Sequence, residues 1–171
     1  MIKIAINAGH TMYGKGKGAV GYINESEETR KVVSALIPLL EAKGHKVVDA
    51  TVDTATTQNA YLRKAVEIAN KSKADLFVSI HFNAGGGNGC EAYTWKGEKV
   101  KQAVSICNEL NKRGFRNRGV KNGSSFYVVR NTTMTAILVE ICFVDSKRDC
   151  DLYKKVGVAK IAQAIADGIA E

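Results

Sequence analysis

The chain has 171 residues, of which 45% are hydrophobic and 25% are charged, and its formal net charge is +8. This length and composition predict one soluble globular domain, residues 1–171, that is large enough to bury its own core. No apolar run approaches the about 20 residues that a membrane-spanning helix needs, so a membrane span is not expected.

The first residues predict no signal peptide, and the cysteines predict no disulfide framework. Met1-Ile-Lys-Ile enters a predicted strand directly, so we expect no signal peptide. The four cysteines form no CxxC pair and have no regular spacing, which argues against a disulfide framework and against a cysteine-rich zinc site. Cys107 and Cys142 lie in apolar patterns and are predicted to be small core residues.

The spacing of apolar residues, turn residues and helix caps predicts six strands and four helices. The predicted strands cover about residues 3–10, 46–52, 74–83, 91–95, 126–130 and 136–141, and the predicted helices about residues 24–43, 57–71, 100–113 and 156–170. Strands that alternate mostly with helices predict a three-layer α/β fold, with a six-stranded, mostly parallel, twisted sheet and helices on both faces.

Two of the three histidines follow apolar strands at the point where glycines begin. His10 ends the first predicted strand, and His81 ends the apolar run of the strand at 74–83. In open α/β sheets, ligands gather beyond the carboxyl ends of the strands, so this pair indicates a shared metal site. His45 follows the glycine that closes a helix and is predicted to face solvent.

A catalytic zinc site has three protein ligands of the His or Glu type and leaves one position open to water. The segment that begins the first predicted helix offers Glu25, Glu27 and Glu28 as a third ligand. Carboxylates in a first helical turn are also favoured by the helix dipole alone. The residues themselves leave the choice among the three open.

Glu140 interrupts a strand that is otherwise apolar enough to be fully buried. A buried glutamate is rare unless it is paired or functional, and burial raises its pKa, which suits a general acid or base. The alternative is a buried ion pair with a lysine or arginine. Glu91 lies in a more polar strand, where a structural role is expected.

A nucleotide-binding loop is the alternative for the segment after the first strand. Gly9 to Gly16 nearly fits G-x-x-x-x-G-K-[ST], with Lys15 in the lysine position. Gly16 replaces the hydroxyl residue that would hold Mg²⁺, and the glycines after it are a poor helix start. The match therefore lacks both the hydroxyl residue and the helix start that give the motif its chemistry.

The positive charge indicates an anionic partner, because eight Lys or Arg lie between Lys96 and Lys121 against two Glu. Phe115, among the arginines of the segment 112–118, would suit a nucleic-acid-binding module. A solvated helix end and loop is the simpler interpretation. The third interpretation is that this basic surface faces a phosphate-rich cell wall.

Five ordered segments resemble the N-acetylmuramoyl-L-alanine amidases of the zinc-dependent amidase-3 family, and most of all the catalytic domains of clostridial phage endolysins and autolysins. The segments are Asn7-Ala-Gly-His10, Gly18-Ala-Val-Gly-Tyr-Ile-Asn-Glu25, Ala74-Asp-Leu-Phe-Val-Ser-Ile-His-Phe-Asn-Ala84, Gly89-Cys-Glu-Ala-Tyr93 and Ile137-Leu-Val-Glu-Ile-Cys-Phe143. The family opening is usually Asp-Pro-Gly-His, and Ala65 stands where the family usually has an arginine. Neither departure falls on a proposed ligand.

The resemblance implies one Zn²⁺ per chain, held by His10, Glu25 and His81, with Glu140 as the catalytic residue. It chooses Glu25 because the family spacing to the glycine that closes the helix leads back from Gly44 to that position. Asn83, two residues after a ligand, is a candidate contact to substrate or to the ligands.

The implied activity is hydrolysis of the amide between N-acetylmuramic acid and L-alanine in peptidoglycan, with a zinc peptidase that cleaves within the stem peptide as the alternative. The implied partner is the anionic bacterial cell wall rather than nucleic acid, and we expect a monomer. A phage-encoded chain without a signal peptide would wait in the host cytoplasm until the membrane is breached.

Overall fold

The computed structural model describes residues 1–170, so the last residue of the predicted domain, Glu171, lies outside the described residues. The strands are β1 (Lys3–Ala8), β2 (Tyr13–Gly14), β3 (Lys46–Asp49), β4 (Thr54–Ala55), β5 (Leu76–Asn83), β6 (Cys90–Thr94), β7 (Asn117–Asn122) and β8 (Thr135–Phe143). The helices are α1 (Glu25–Ala42), α2 (Gln58–Ser72), α3 (Lys101–Lys112), α4 (Tyr127–Asn131), α5 (Lys147–Val156) and α6 (Val158–Ala170).

Six of the strands form one sheet in the order β3-β1-β5-β8-β6-β7. All neighbours are parallel except β6 and β8, which are antiparallel. The predicted three-layer α/β fold with a mostly parallel six-stranded sheet is therefore confirmed. β2 and β4 form a separate two-stranded sheet.

The apolar side chains of the sheet pack against helices on both faces. On one face they meet α1, α3 and α6, in a core that includes Leu36, Ile106 and Ile165. On the other they meet α2 and α4, in a smaller core that includes Phe77 and Leu138. All four cysteines are buried and free, so the prediction that Cys107 and Cys142 are core residues is confirmed.

The predicted strand at 126–130 is wrong, because this segment forms the short helix α4. Tyr-Val-Val has high strand propensity, but propensity yields to packing. As a helix, the segment places Val128 and Val129, 3% and 4% exposed, together in the smaller core. The sixth strand is instead β7, a polar edge strand whose sequence has no apolar alternation to reveal it.

The C-terminal region contains two helices where one was predicted. Ser146 caps α5, since its side-chain oxygen accepts a hydrogen bond from the Asp149 amide. Gly157, with a positive φ of 83°, then separates α5 from α6. Such a φ is readily adopted by glycine, so the chain turns between the helices here.

Candidate active site

Strand register places three ionisable side chains in a row across the sheet. His81 of β5 is paired with Glu140 of β8, and Glu140 is paired with Glu91 of β6. Directly paired residues share a face of a sheet. Leu138, two residues before Glu140, belongs to the core against α2 and α4, so the row lies on that face near the carboxyl ends of β5 and β8.

His10 follows β1 in a left-handed backbone conformation, with φ of 63°. This conformation is costly for a residue other than glycine and persists only where the surroundings hold it. The Tyr61 hydroxyl accepts from the His10 amide at 2.7 Å, and the Arg30 guanidinium donates to the His10 carbonyl at 2.9 Å. The ring Nδ1 lies 3.1 Å from the Gly16 carbonyl oxygen, so Nε2 faces the cleft.

Glu25, the first residue of α1, joins the two histidines. Its Oε2 lies 3.3 Å from His10 Nε2, and its Oε1 lies 3.1 Å from His81 Nδ1. Oε1 also accepts a hydrogen bond from the Phe82 amide, which fixes the carboxylate. Burial raises the pKa of Glu25, but the hydrogen bonds from the two histidines outweigh this and hold it well below its usual range.

The three side chains have the donor set and the spacing of a zinc site. One ligand atom from each can be chosen so that all lie within 4.8 Å of one another. Two donors that bind one zinc ion at about 2.1 Å in tetrahedral geometry lie about 3.4 Å apart, close to the 3.3 Å between His10 Nε2 and Glu25 Oε2. His10, Glu25 and His81 could therefore hold a metal ion together.

Two glycines allow the backbone to lie close against the candidate ligands His81 and Glu25. A Cβ at Gly9 would lie 2.3 Å from the His81 ring, and a Cβ at Gly18 would lie 2.6 Å from Glu25 Oε2. Any larger residue at either position would displace a candidate ligand.

Glu140 is buried, at 8% exposed, and its Oε2 has no hydrogen-bond partner. No lysine or arginine within residues 1–170 forms an ion pair with it, so the structural alternative of a buried ion pair is not met. Burial raises the pKa of Glu140 well above its usual range, and the charges of Glu25 and Glu91 raise it further. An unpartnered buried carboxyl of this kind is typical of a catalytic group.

The candidate ligands and Glu140 line one cleft of about 450 Å³. Asn83 lies on the same cleft, so the structure brings together all five residues that the sequence analysis selected. Leu62 of α2, Val128 of α4 and Phe126, which precedes α4, also line the cleft. The cleft thus offers a bound molecule apolar surface in addition to the polar candidate residues.

The other carboxylates of the first helical turn point elsewhere. Glu27 accepts a hydrogen bond from the Asn24 side chain, and Glu28 binds Lys31 and the Tyr153 hydroxyl. His45 lies outside the site, and it is half-buried rather than solvent-facing as predicted, with its Nδ1 sealed from solvent.

The structure does not have the geometry that a nucleotide-binding loop or a nucleic-acid-binding module would need. The loop after β1 leads to β2, and the next helix, α1, begins only at Glu25. No helix N-terminus therefore follows Lys15 directly to bind the phosphates of a nucleotide. Phe115 is buried at 1% exposed and cannot stack on a base. The basic segment around it therefore has no available aromatic platform.

Sequence reasoning missed the residues that hold the candidate ligands in place. Arg30 and Tyr61 fix the His10 backbone, yet in the sequence they are single polar residues within helices. Glu91, which was expected to be structural, forms ion pairs with Arg118 and Lys121 and also accepts a hydrogen bond from Asn83 on the cleft. No spacing in the sequence distinguishes such residues, because their partners are 8 to 51 positions away.

Comparison with known proteins shows which family and which solved structures the chain is similar to. The family model of the N-acetylmuramoyl-L-alanine amidases matches residues 4–171. The chain is 38% identical over 178 residues to an uncharacterised protein of Clostridium perfringens, covering 99% of this chain and 52% of that protein. It is 34% identical over 175 residues to the N-acetylmuramoyl-L-alanine amidase CwlM of Bacillus licheniformis, covering 99% of this chain and 68% of that enzyme.

Among solved structures, the catalytic domain of the CD27L endolysin, which targets Clostridia difficile, superposes with a TM-score of 0.91 at 29% identity. That match covers 99% of this chain and 97% of the endolysin domain. The chain spans about half the length of the first curated relatives that it matches.

Proposed function

The chain belongs to the N-acetylmuramoyl-L-alanine amidase family, and we propose that it hydrolyses the amide between N-acetylmuramic acid and L-alanine in peptidoglycan. The observation that carries the proposal is the meeting of a His-Glu-His donor set with an unpartnered buried carboxyl, Glu140, in one cleft. Amide hydrolysis needs both parts, an electrophilic centre and a group that moves protons.

His10, Glu25 and His81 are proposed to hold one Zn²⁺ per chain. His10 can act as a neutral ligand, since it can keep its proton on Nδ1 toward Gly16 and offer Nε2. The three residues leave a fourth position of a tetrahedral site open toward the cleft. Zinc bound there would polarise the scissile carbonyl and acidify a water molecule.

Glu140 is proposed to take the proton from the attacking water and to deliver it to the alanine nitrogen as that nitrogen leaves. Its carboxyl lines the cleft, where it can meet the water for the first transfer, and its raised pKa makes it a good acid for the second. Positive charge at the His-Glu-His site would favour the carboxylate form at the start of the cycle.

The site of action is proposed to be the bacterial cell wall. Peptidoglycan carries stem-peptide carboxylates, and wall polymers carry phosphates, so a chain of net charge +8 is attracted to both. No helix within residues 1–170 is long and apolar enough to cross a membrane. A monomer suffices for this chemistry, because all of the proposed site residues come from one chain.

The bond that is cleaved tests the proposed function. Purified peptidoglycan is digested with the zinc-loaded chain, and the fragments are identified by mass spectrometry. We expect stem peptides that begin with a free L-alanine amino group, together with glycan that carries free lactyl carboxylates. New amino groups inside the stem peptide would contradict the amidase and indicate a zinc peptidase instead.

A further inference from the structure

Asn83 and Glu91 are joined by a hydrogen bond that passes beside Glu140. The Asn83 amide nitrogen donates to Glu91 Oε1 at 2.7 Å. Asn83 lies on β5 and Glu91 on β6, and in the sheet these strands are separated by β8, which carries Glu140. The contact therefore spans the strand that bears the proposed catalytic residue.

Glu91 is held in place on its other side by cations. It is 1% exposed, and its Oε2 accepts from Arg118 Nε at 2.6 Å and from Lys121 Nζ at 2.5 Å. The Tyr93 hydroxyl donates to Oε1 at 2.7 Å. A buried carboxylate is stable only when paired in this way, and each contact to a charged group is stronger than a neutral hydrogen bond.

These contacts determine which way the Asn83 amide faces. A carboxylate only accepts hydrogen bonds, so the amide nitrogen must face Glu91. The amide oxygen in turn accepts from the Ala84 backbone amide at 2.8 Å. The nitrogen carries a second hydrogen that finds no acceptor within residues 1–170, and Asn83 lines the cleft.

We propose that Asn83 donates a hydrogen bond from its amide to a carbonyl oxygen of the bound substrate, and that Glu91 is the positioning residue that holds this amide in the donating orientation. The inference rests on the proposed function, since it names a substrate contact of the same cleft. Glu91, Arg118 and Lys121 do not line the cleft, and they act on the substrate only through the orientation of the Asn83 amide.

Replacing Glu91 by glutamine would place a hydrogen-bond donor where the Asn83 amide now finds an acceptor. The Gln oxygen would turn toward Arg118 and Lys121, so its amino group would face Asn83. Two donors cannot bond, and Asn83 would have to rotate its oxygen toward residue 91 and give up its fixed donor. A double-mutant cycle separates this coupling from general damage, because residues that act as a unit show non-additive effects.

The experiment compares Asn83→Ala, Glu91→Gln and the double variant with the wild-type chain, by kinetics of L-alanine amino-group release from soluble muropeptides. Each single variant is expected to lower kcat/KM about tenfold, as the loss of one hydrogen bond to substrate does. The double variant is expected to be no worse than either. Zinc content should stay at one ion per chain in all three.

Glu109→Gln is the matched control, since Glu109 is also buried, at 8% exposed, and paired with a cation, but lies on α3. Its kcat/KM should equal the wild-type value. Unchanged kinetics of Asn83→Ala would overturn the inference even if Glu91→Gln failed to fold, and so would effects that multiply in the double variant. Either of these two results would overturn the inference but leave the proposed function standing. If the wild-type chain released no alanine amino groups, the proposed function would be wrong as well.

Discussion

Glu140→Gln is expected to lower kcat/KM by about 10³-fold, within the range that one general acid–base group contributes. Glutamine has nearly the same shape but can neither accept the proton of the attacking water nor return it to the leaving nitrogen. The site around it would change little, because Glu140 Oε2 has no hydrogen-bond partner to lose. The measurement is steady-state kinetics on soluble muropeptides together with the zinc content of the same preparation.

Stability gives an independent check on this variant. Glu140 is a buried acid whose pKa is raised by burial, so its neutral replacement should leave the free energy of unfolding unchanged or increase it. A large loss of activity with full zinc content and an intact fold identifies a chemical role. Full activity of Glu140→Gln would remove Glu140 from the mechanism.

His81→Ala is expected to abolish activity and to weaken zinc binding by more than the about 10–100-fold that loss of an outer-shell partner causes. His81 Nδ1 lies 3.1 Å from Glu25 Oε1 and supplies one of three donor atoms. Two remaining donors cannot complete a structural or a catalytic zinc site. The measurement is zinc affinity by competition with a chromophoric chelator.

His45→Ala is the matched control for this variant, because it removes the one histidine that lies outside the site. Its zinc affinity and its activity should equal those of the wild type. Wild-type zinc affinity in His81→Ala would contradict the assignment of His81, and an equal loss of affinity in His45→Ala would show that the loss is not specific to the proposed ligands.

The part of the site that could be predicted from sequence is the part where a polar residue interrupts a strong apolar pattern. His10 and His81 end buried strands, and Glu140 stands inside one, so each is conspicuous in the sequence. Glu25 was not separable from Glu27 and Glu28 on physical grounds, because any carboxylate is favourable in a first helical turn. The family resemblance selected it, and its position against both histidines agrees with that choice.

The parts of the fold that could not be predicted depend on packing rather than on pattern. The Tyr-Val-Val segment has the composition of a strand, yet as α4 it buries Val128 and Val129 beside α2 and forms one wall of the cleft. β7 is polar along its length, so only its pairing with β6 makes it a strand. Glu91 was expected to be structural because it lies in a polar strand, and its partners Arg118 and Lys121 become its neighbours only when β7 joins the sheet.

Zinc titration with simultaneous assay tests the central claim most directly. Metal-free chain is titrated with Zn²⁺, and L-alanine amino-group release from peptidoglycan is measured at each addition. A site made of His10, Glu25 and His81 requires that activity be absent without metal, rise in proportion to added zinc and reach its plateau at one zinc per chain. Activity in the metal-free chain, or a plateau at any other ratio, would contradict a single zinc centre as the origin of catalysis.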